Sequence, residues 1–282
     1  MELKAAQVVF LCFLCGLKAD PEDGEGGWSS DFSLQDEGVC NIDVLDRSQI
    51  SYQEFIQRYA YSRPVVLRGF TDNTKFRLLC SKSSLLEEFG SRTVKLSTAN
   101  TFSYRKVDVS FQRYVDVLLR PQAADALGSE TLYFFGDNNF TEWKSLFDQY
   151  ESPPFVLPNT SGAFSFGIAG AGTGVPFHWH GPGYSEVVYG RKRWFLYPPD
   201  KEPHFHPNRT TLSWVTETYP NLPEEEAPLE CTIRPGEVTT PPAVRFNTCR
   251  YSKDITDCIN ATVNVFNPLN TNKQFLGVSL LL

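Results

Sequence analysis

The chain has 282 residues, 41% of them hydrophobic and 14% aromatic, enough to bury a sizeable core in one large domain or two small ones. Its formal charge of −7, with no Lys/Arg-rich run, argues against binding nucleic acid by neutralising a phosphate backbone. The many Phe and Tyr, the single Met and the 19 each of Gly and Pro predict strands and turns rather than a helical bundle.

Lys4 is followed by a mostly apolar stretch at 5–17, too short to span a bilayer comfortably, and then by the small residue Ala19. This pattern predicts a secretory signal peptide over residues 1–19, and no membrane span once it is removed. Four sequons, at Asn139, Asn159, Asn208 and Asn260, are candidate glycosylation sites. Together these features place the expected protein in the endoplasmic reticulum lumen, with secretion as the alternative. Beyond the leader stand Cys40, Cys80, Cys231, Cys249 and Cys258. An oxidising lumen would pair some of them, in a pattern that spacing alone does not give.

Residues 20–38 are acidic and Gly-rich, and are expected to be disordered. A folded domain is expected over 39–238. Ser51 caps a predicted helix at 52–61, and the run Arg63-Pro64-Val65-Val66-Leu67-Arg68-Gly69 reads as a short buried strand. A second helix is predicted at 83–89 and strands at 93–97 and 106–109. Ser110 caps a third helix reaching Leu119; a strand at 130–136 and a short helix at 142–150 follow.

From Ser165 the pattern turns to β. A strand at 165–169 leads through a Gly-rich stretch to Val175-Pro176-Phe177-His178-Trp179-His180-Gly181. As a strand this stretch presents His178 and His180 at alternate positions, so both face one side and can meet one metal ion. Strands at 184–189 and 193–197 turn at Gly190. A helix around 211–219, a strand at 229–233 and a turn at Arg234-Pro235-Gly236-Glu237 complete the pattern. Helices first and short strands later predict a mainly β (α+β) jelly roll with an N-terminal helical layer.

Several of these pieces occur together in a recognisable order: Arg63-Pro64-Val65-Val66-Leu67-Arg68-Gly69, Phe135-Gly136-Asp137, His178-Trp179-His180, Gly190-Arg191-Lys192-Arg193-Trp194 with Tyr197-Pro198-Pro199, and Pro235-Gly236-Glu237-Val238. As a set they resemble the JmjC (Jumonji C) family of the cupin superfamily, over roughly residues 40–238. The resemblance implies a double-stranded β-helix holding Fe(II) and 2-oxoglutarate. It places His178 at the first metal position and His180 where the family carries a carboxylate. Lys192 then holds the position of the lysine that pairs with the distal carboxylate of 2-oxoglutarate, with Arg191 and Arg193 turned outward.

The sequence departs from that pattern in three ways. His180 is neutral, which weakens a hard ferrous site. Val175 stands where several members place a hydroxyl. No histidine follows His206, and both ways of counting to the closing ligand reach asparagine, Asn247 or Asn260. Residues 239–260, with two prolines and two cysteines, read unlike a barrel strand, so residues 239–282 are an atypical C-terminal segment whose sequence leaves open whether it completes the barrel or leaves an edge. An open sheet edge would then favour pairing with another chain, a homo-oligomer included.

His204 and His206 form a second pair in a Pro-bounded loop. A zinc or nickel site built from both pairs competes there with a plain surface loop, which is the simpler reading. The sequence thus predicts no catalytic residue and a non-catalytic lumenal protein that works through a protein partner. The alternative is an Fe(II)- and 2-oxoglutarate-dependent protein hydroxylase of the secretory pathway.

Overall fold

The computed structural model describes residues 26–28, 37–60, 62–100, 105–135, 141–157, 163–177, 183–198, 201 and 203–240. The strands at 253–255 and 260–266 are described by backbone pairing alone. The expected leader at 1–19 lies outside these residues.

The chain begins with strand β1 (Asp43–Asp46), helix α1 (Tyr52–Arg58) and strand β2 (Val65–Arg68). Helices α2 (Thr74–Leu79) and α3 (Lys82–Phe89) lead to β3 (Thr93–Thr98) and β4 (Lys106–Ser110). Then come α4 (Phe111–Arg113), extended by a π-helical turn at Tyr114–Leu118, strand β5 (Leu132–Phe135) and helix α5 (Lys144–Phe147). The second half contributes β6 (Ala163–Ala169), β7 (Gly183–Val187), β8 (Lys192–Leu196), α6 (Thr211–Ser213), β9 (Leu229–Ile233) and β10 (Glu237–Thr240). Two further strands, β11 (Lys253–Ile255) and β12 (Asn260–Phe266), complete the order.

Local sequence explains most of these boundaries. Ser51 accepts from the backbone N–H of Glu54, whose carboxylate accepts in turn from the Ser51 N–H, a reciprocal cap that starts α1. Ser110 caps α4 in one direction only, its hydroxyl accepting from the Arg113 N–H. Gly190 and Gly236 adopt φ of 74° and 79°, the left-handed conformation that the turns after β7 and β9 require.

The strands form a nine-stranded sheet in the order β1-β2-β10-β7-β12-β6-β5-β3-β4 and a three-stranded sheet in the order β11-β8-β9. Every neighbouring pair is antiparallel except β1 and β2. This is the jelly roll expected from the sequence. One core lies between the sheets, around Val66, Val187, Trp194 and Ile233. A second lies between the large sheet and the helical layer, where the Phe89 ring stacks on Trp143 with centroids 4.2 Å apart. Strand β12 pairs with β6 on one side and β7 on the other, and β11 pairs with β8, so the atypical C-terminal segment contributes to both sheets.

Three expectations need correction. Within the segment expected to be disordered, Trp28 is only 1% exposed and its indole N–H donates to the Cys80 carbonyl at 2.9 Å; an aromatic anchor outweighs the polar composition around it. Residues 175–177 lie in no strand, although they are buried. Helix α2 was not anticipated, because its apolar side is carried chiefly by Phe76.

Candidate functional site

The site is built from facing positions of the two sheets. Alternate residues of a strand point to opposite faces, so in β8 Lys192 and Trp194 share one face and Arg193 and Phe195 the other. Lys192 is completely buried and points between the sheets. Its ammonium donates to Ser185 Oγ of β7 at 3.0 Å and lies 3.7 Å from the centre of the Trp194 ring. A lysine held this way in the interior is a fixed positive charge that favours anionic oxygens nearby.

The face of the large sheet opposite Lys192 is lined with hydroxyls. Ser185 pairs across strands with Thr239 of β10. On its other side, β12 separates it from Ser165 of β6, which stands in the same row: Asn264 is the register partner of both serines. Ser165 Oγ, Thr239 Oγ1 and Trp194 Nε1 are buried and make no hydrogen bond among the described residues. Buried polar atoms without partners are costly, and Trp194 Nε1 and Thr239 Oγ1, which pairs across strands with the Ser185 that holds Lys192, are donors that a ligand with anionic oxygens would satisfy. The distal carboxylate of 2-oxoglutarate fits that donor set.

The route to the histidines is also fixed. Phe177 packs edge-on against Trp214, Tyr197 and Phe205, with centroid distances of 5.2, 5.5 and 5.5 Å. The Val175 carbonyl accepts from Thr211 Oγ1 of α6 at 3.1 Å. His178 and His180 themselves lie outside the described residues. Among the described residues no group of three or more His, Cys, Asp or Glu side chains is placed to hold a metal. His204 and His206 are exposed, and His206 Nδ1 accepts from the Asn208 N–H at 3.1 Å, so this loop is locally tied rather than aimed at the interior.

Of the sequon asparagines, Asn139 and Asn159 fall outside the described residues. Asn208 is half-buried; its Oδ1 accepts from the Ser129 N–H at 3.0 Å. Asn260 opens β12, paired with Ala169.

Arg193 is turned outward from Lys192 but meets protein rather than solvent. It is 4% exposed and grips Glu230 of β9 through Nε at 2.9 Å and Nη2 at 2.7 Å, while Tyr219 donates to the other carboxylate oxygen. Tyr219, in the chain after α6, also packs its ring against Phe195 and beside the Arg193 guanidinium, each 5.2 Å from its centroid. Arg191 pairs instead with Glu37.

Sequence reasoning also missed Glu186. It lies on the helical-layer face of β7, 2% exposed, and accepts from Tyr150 at 2.8 Å and from Asn73 at 3.0 Å. Burial pushes its carboxyl up to about 7, against the opposing pull of the Tyr150, Asn73 and Thr71 hydrogen bonds. The signal was present in the sequence: Ser185 and Glu186 interrupt an apolar run, and such residues in a buried strand need partners on both faces.

No family model matches the chain. It is 62% identical over 218 residues to JmjC domain-containing protein 8 of Homo sapiens, covering 77% of this chain and 82% of that one. It is 60% identical over 223 residues to the Mus musculus protein of the same name, with the same coverage of 77% and 82%. The chain therefore belongs to the JmjC domain family. Within that family its similarity is to JmjC domain-containing protein 8. Among solved structures it resembles the Escherichia coli ribosomal oxygenase YcfD, at 15% identity and a TM-score of 0.46, over 78% of this chain and 53% of that one.

Proposed function

We propose that this chain is a lumenal JmjC-like protein that keeps the family's anion pocket but not its oxygenase chemistry, and that it acts by binding a partner protein. The observation that carries this reading is the donor set. His180 stands at the carboxylate position, and no histidine follows His206 to close a facial triad. Replacing the anionic oxygen donor by a neutral imidazole weakens a hard ferrous site, and asparagine at the closing position is a poor ligand. 2-Oxoglutarate, where a complete triad holds iron, supplies the electrons that activate oxygen. Here Lys192 and Ser185 would hold its distal carboxylate, with Thr239 and Ser165 offering further hydroxyls.

Lumenal placement is supported by the leader pattern and the four sequons. It predicts a loss of apparent mass on treating the cell-derived protein with an N-glycosidase; an unchanged mass would sink it.

The buried Lys192 favours a second reading, an Fe(II)- and 2-oxoglutarate-dependent hydroxylase of secretory-pathway proteins. One assay separates the two. With added ferrous iron and 2-oxoglutarate, succinate release should not exceed that of His178→Ala, whereas 2-oxoglutarate binding by calorimetry should weaken on the order of tenfold or more in Lys192→Met, since a desolvated charge partner is lost. Turnover that His178→Ala abolishes would establish the hydroxylase and overturn the non-catalytic reading.

A further inference from the structure

Residues 37–41 run along β9, which ends the small sheet, before the chain crosses to the large sheet as β1. The Asn41 N–H donates to the Glu230 carbonyl at 3.0 Å, the Glu230 N–H donates to Asn41 Oδ1 at 2.6 Å, and Thr232 Oγ1 donates to the Glu37 carbonyl at 2.7 Å. The Glu37 carboxylate pairs with both Arg191 and Arg234. Gly38, at φ +69°, passes so close to the Arg193 guanidinium that a Cβ there would come within 2.0 Å of Nη2. The strap is thus the lid on the buried Arg193–Glu230 pair.

A disulfide between Cys40 and Cys231 holds this strap. Among the other holds, the Glu37 ion pairs with Arg191 and Arg234 join half-exposed or exposed side chains and are weak in water. Cys40 is exposed, whereas Cys231 is 4% exposed. Cys231 is the cross-strand partner of Trp194, and the Trp194 ring lies against the Lys192 ammonium. One covalent link therefore sits two side chains from the interior lysine, and its outer residue, Cys40, is exposed.

We propose that Cys40–Cys231 is a reducible latch that sets the rigidity of the strand carrying Lys192. A dithiol reductant, such as a thiol–disulfide oxidoreductase with two active cysteines, would act from the solvent side. Its thiolate bonds to Cys40 Sγ, and Cys231 leaves as a thiolate that takes up a proton. The second thiol of the reductant then displaces Cys40, which leaves as a thiol, while the reductant becomes a disulfide. With the latch open the strap leaves β9, water reaches Arg193 and Glu230, and β8 loosens along the contact from Cys231 through Trp194 to Lys192. The inference does not require the pocket to bind 2-oxoglutarate, and its test reads backbone protection rather than ligand.

The test is amide hydrogen exchange on the full chain, with and without dithiothreitol, alongside thiol labelling of Cys40. Reduction should speed exchange roughly tenfold or more in peptides covering 37–41, 192–196 and 229–233, and leave 93–98 and 132–135 within about twofold. Cys40→Ser should show the fast pattern without reductant and gain nothing at 192–196 when reductant is added. Fast exchange confined to 37–41, with 192–196 still protected, would overturn the coupling. Cys40 remaining oxidised at millimolar dithiol would overturn the latch. Should Cys40→Ser fail to fold, the reduced wild-type protein decides the question alone.

Discussion

Alternation along β8 separates two positive charges that are neighbours in sequence and opposite in role. Lys192 faces inward, to a hydroxyl and a ring, while Arg193 faces outward to a buried carboxylate. The resemblance gave the direction of Lys192; it did not give the burial of Arg193, because Glu230 lies 37 residues away in sequence and meets it only through the β8–β9 register. Glu186 is the residue with the clearest pH consequence. Its carboxyl titrates near 7 in the fold, against an ordinary value of 4.5. The fold therefore binds this proton more tightly than the unfolded chain does. The stabilisation is complete below about pH 4.5 and is lost as pH rises through about 7, amounting to roughly 3 kcal/mol if no other group compensates. Glu186→Gln should flatten the fall in urea stability between pH 5 and 8. An unchanged slope would show that Glu186 is not its source.

The elements were legible in the sequence wherever a local rule decides them. The Ser51 and Ser110 caps, the Gly190 and Gly236 turns and the alternation in β3 are short-range features, and the structure reproduces them. The stretch at 175–177 was not, because its conformation is set by α6 and by rings from later in the chain rather than by its own alternation. Phe177 anchors it against Trp214, Tyr197 and Phe205. Phe177→Ala should cost about 3–5 kcal/mol, through lost burial and the cavity left behind. It should also release the Thr211–Val175 contact that leads the chain toward His178. A loss below about 1 kcal/mol in denaturant titration would mean that this stretch repacks freely.

At the scale of the whole molecule, the N-terminal segment is part of the fold rather than a tail before it. It touches the body at two separate places. Residues 37–46 join the edge of the small sheet to the edge of the large one, through Cys40–Cys231 and the β1–β2 pairing. Residues 26–28 reach the helical layer, where the Gly26 carbonyl accepts from the Lys82 N–H at 2.8 Å and Trp28 enters the core beside Phe76, Cys80 and Leu85. A boundary drawn at residue 39 from composition cuts between these anchors, because composition averages over a segment while a single indole can hold it. Trp28 is large, 1% exposed and hydrogen-bonded through its indole nitrogen, so nothing nearby can replace both its volume and its donor. Trp28→Ala should cost about 3–5 kcal/mol. It should also expose Cys80, a free thiol that burial holds unreactive and well above its ordinary pKa. Thiol labelling under native conditions reads this directly. Cys80 should resist alkylation in the wild type and react in Trp28→Ala; equal protection in both would show that the segment only rests on the molecule and does not hold it.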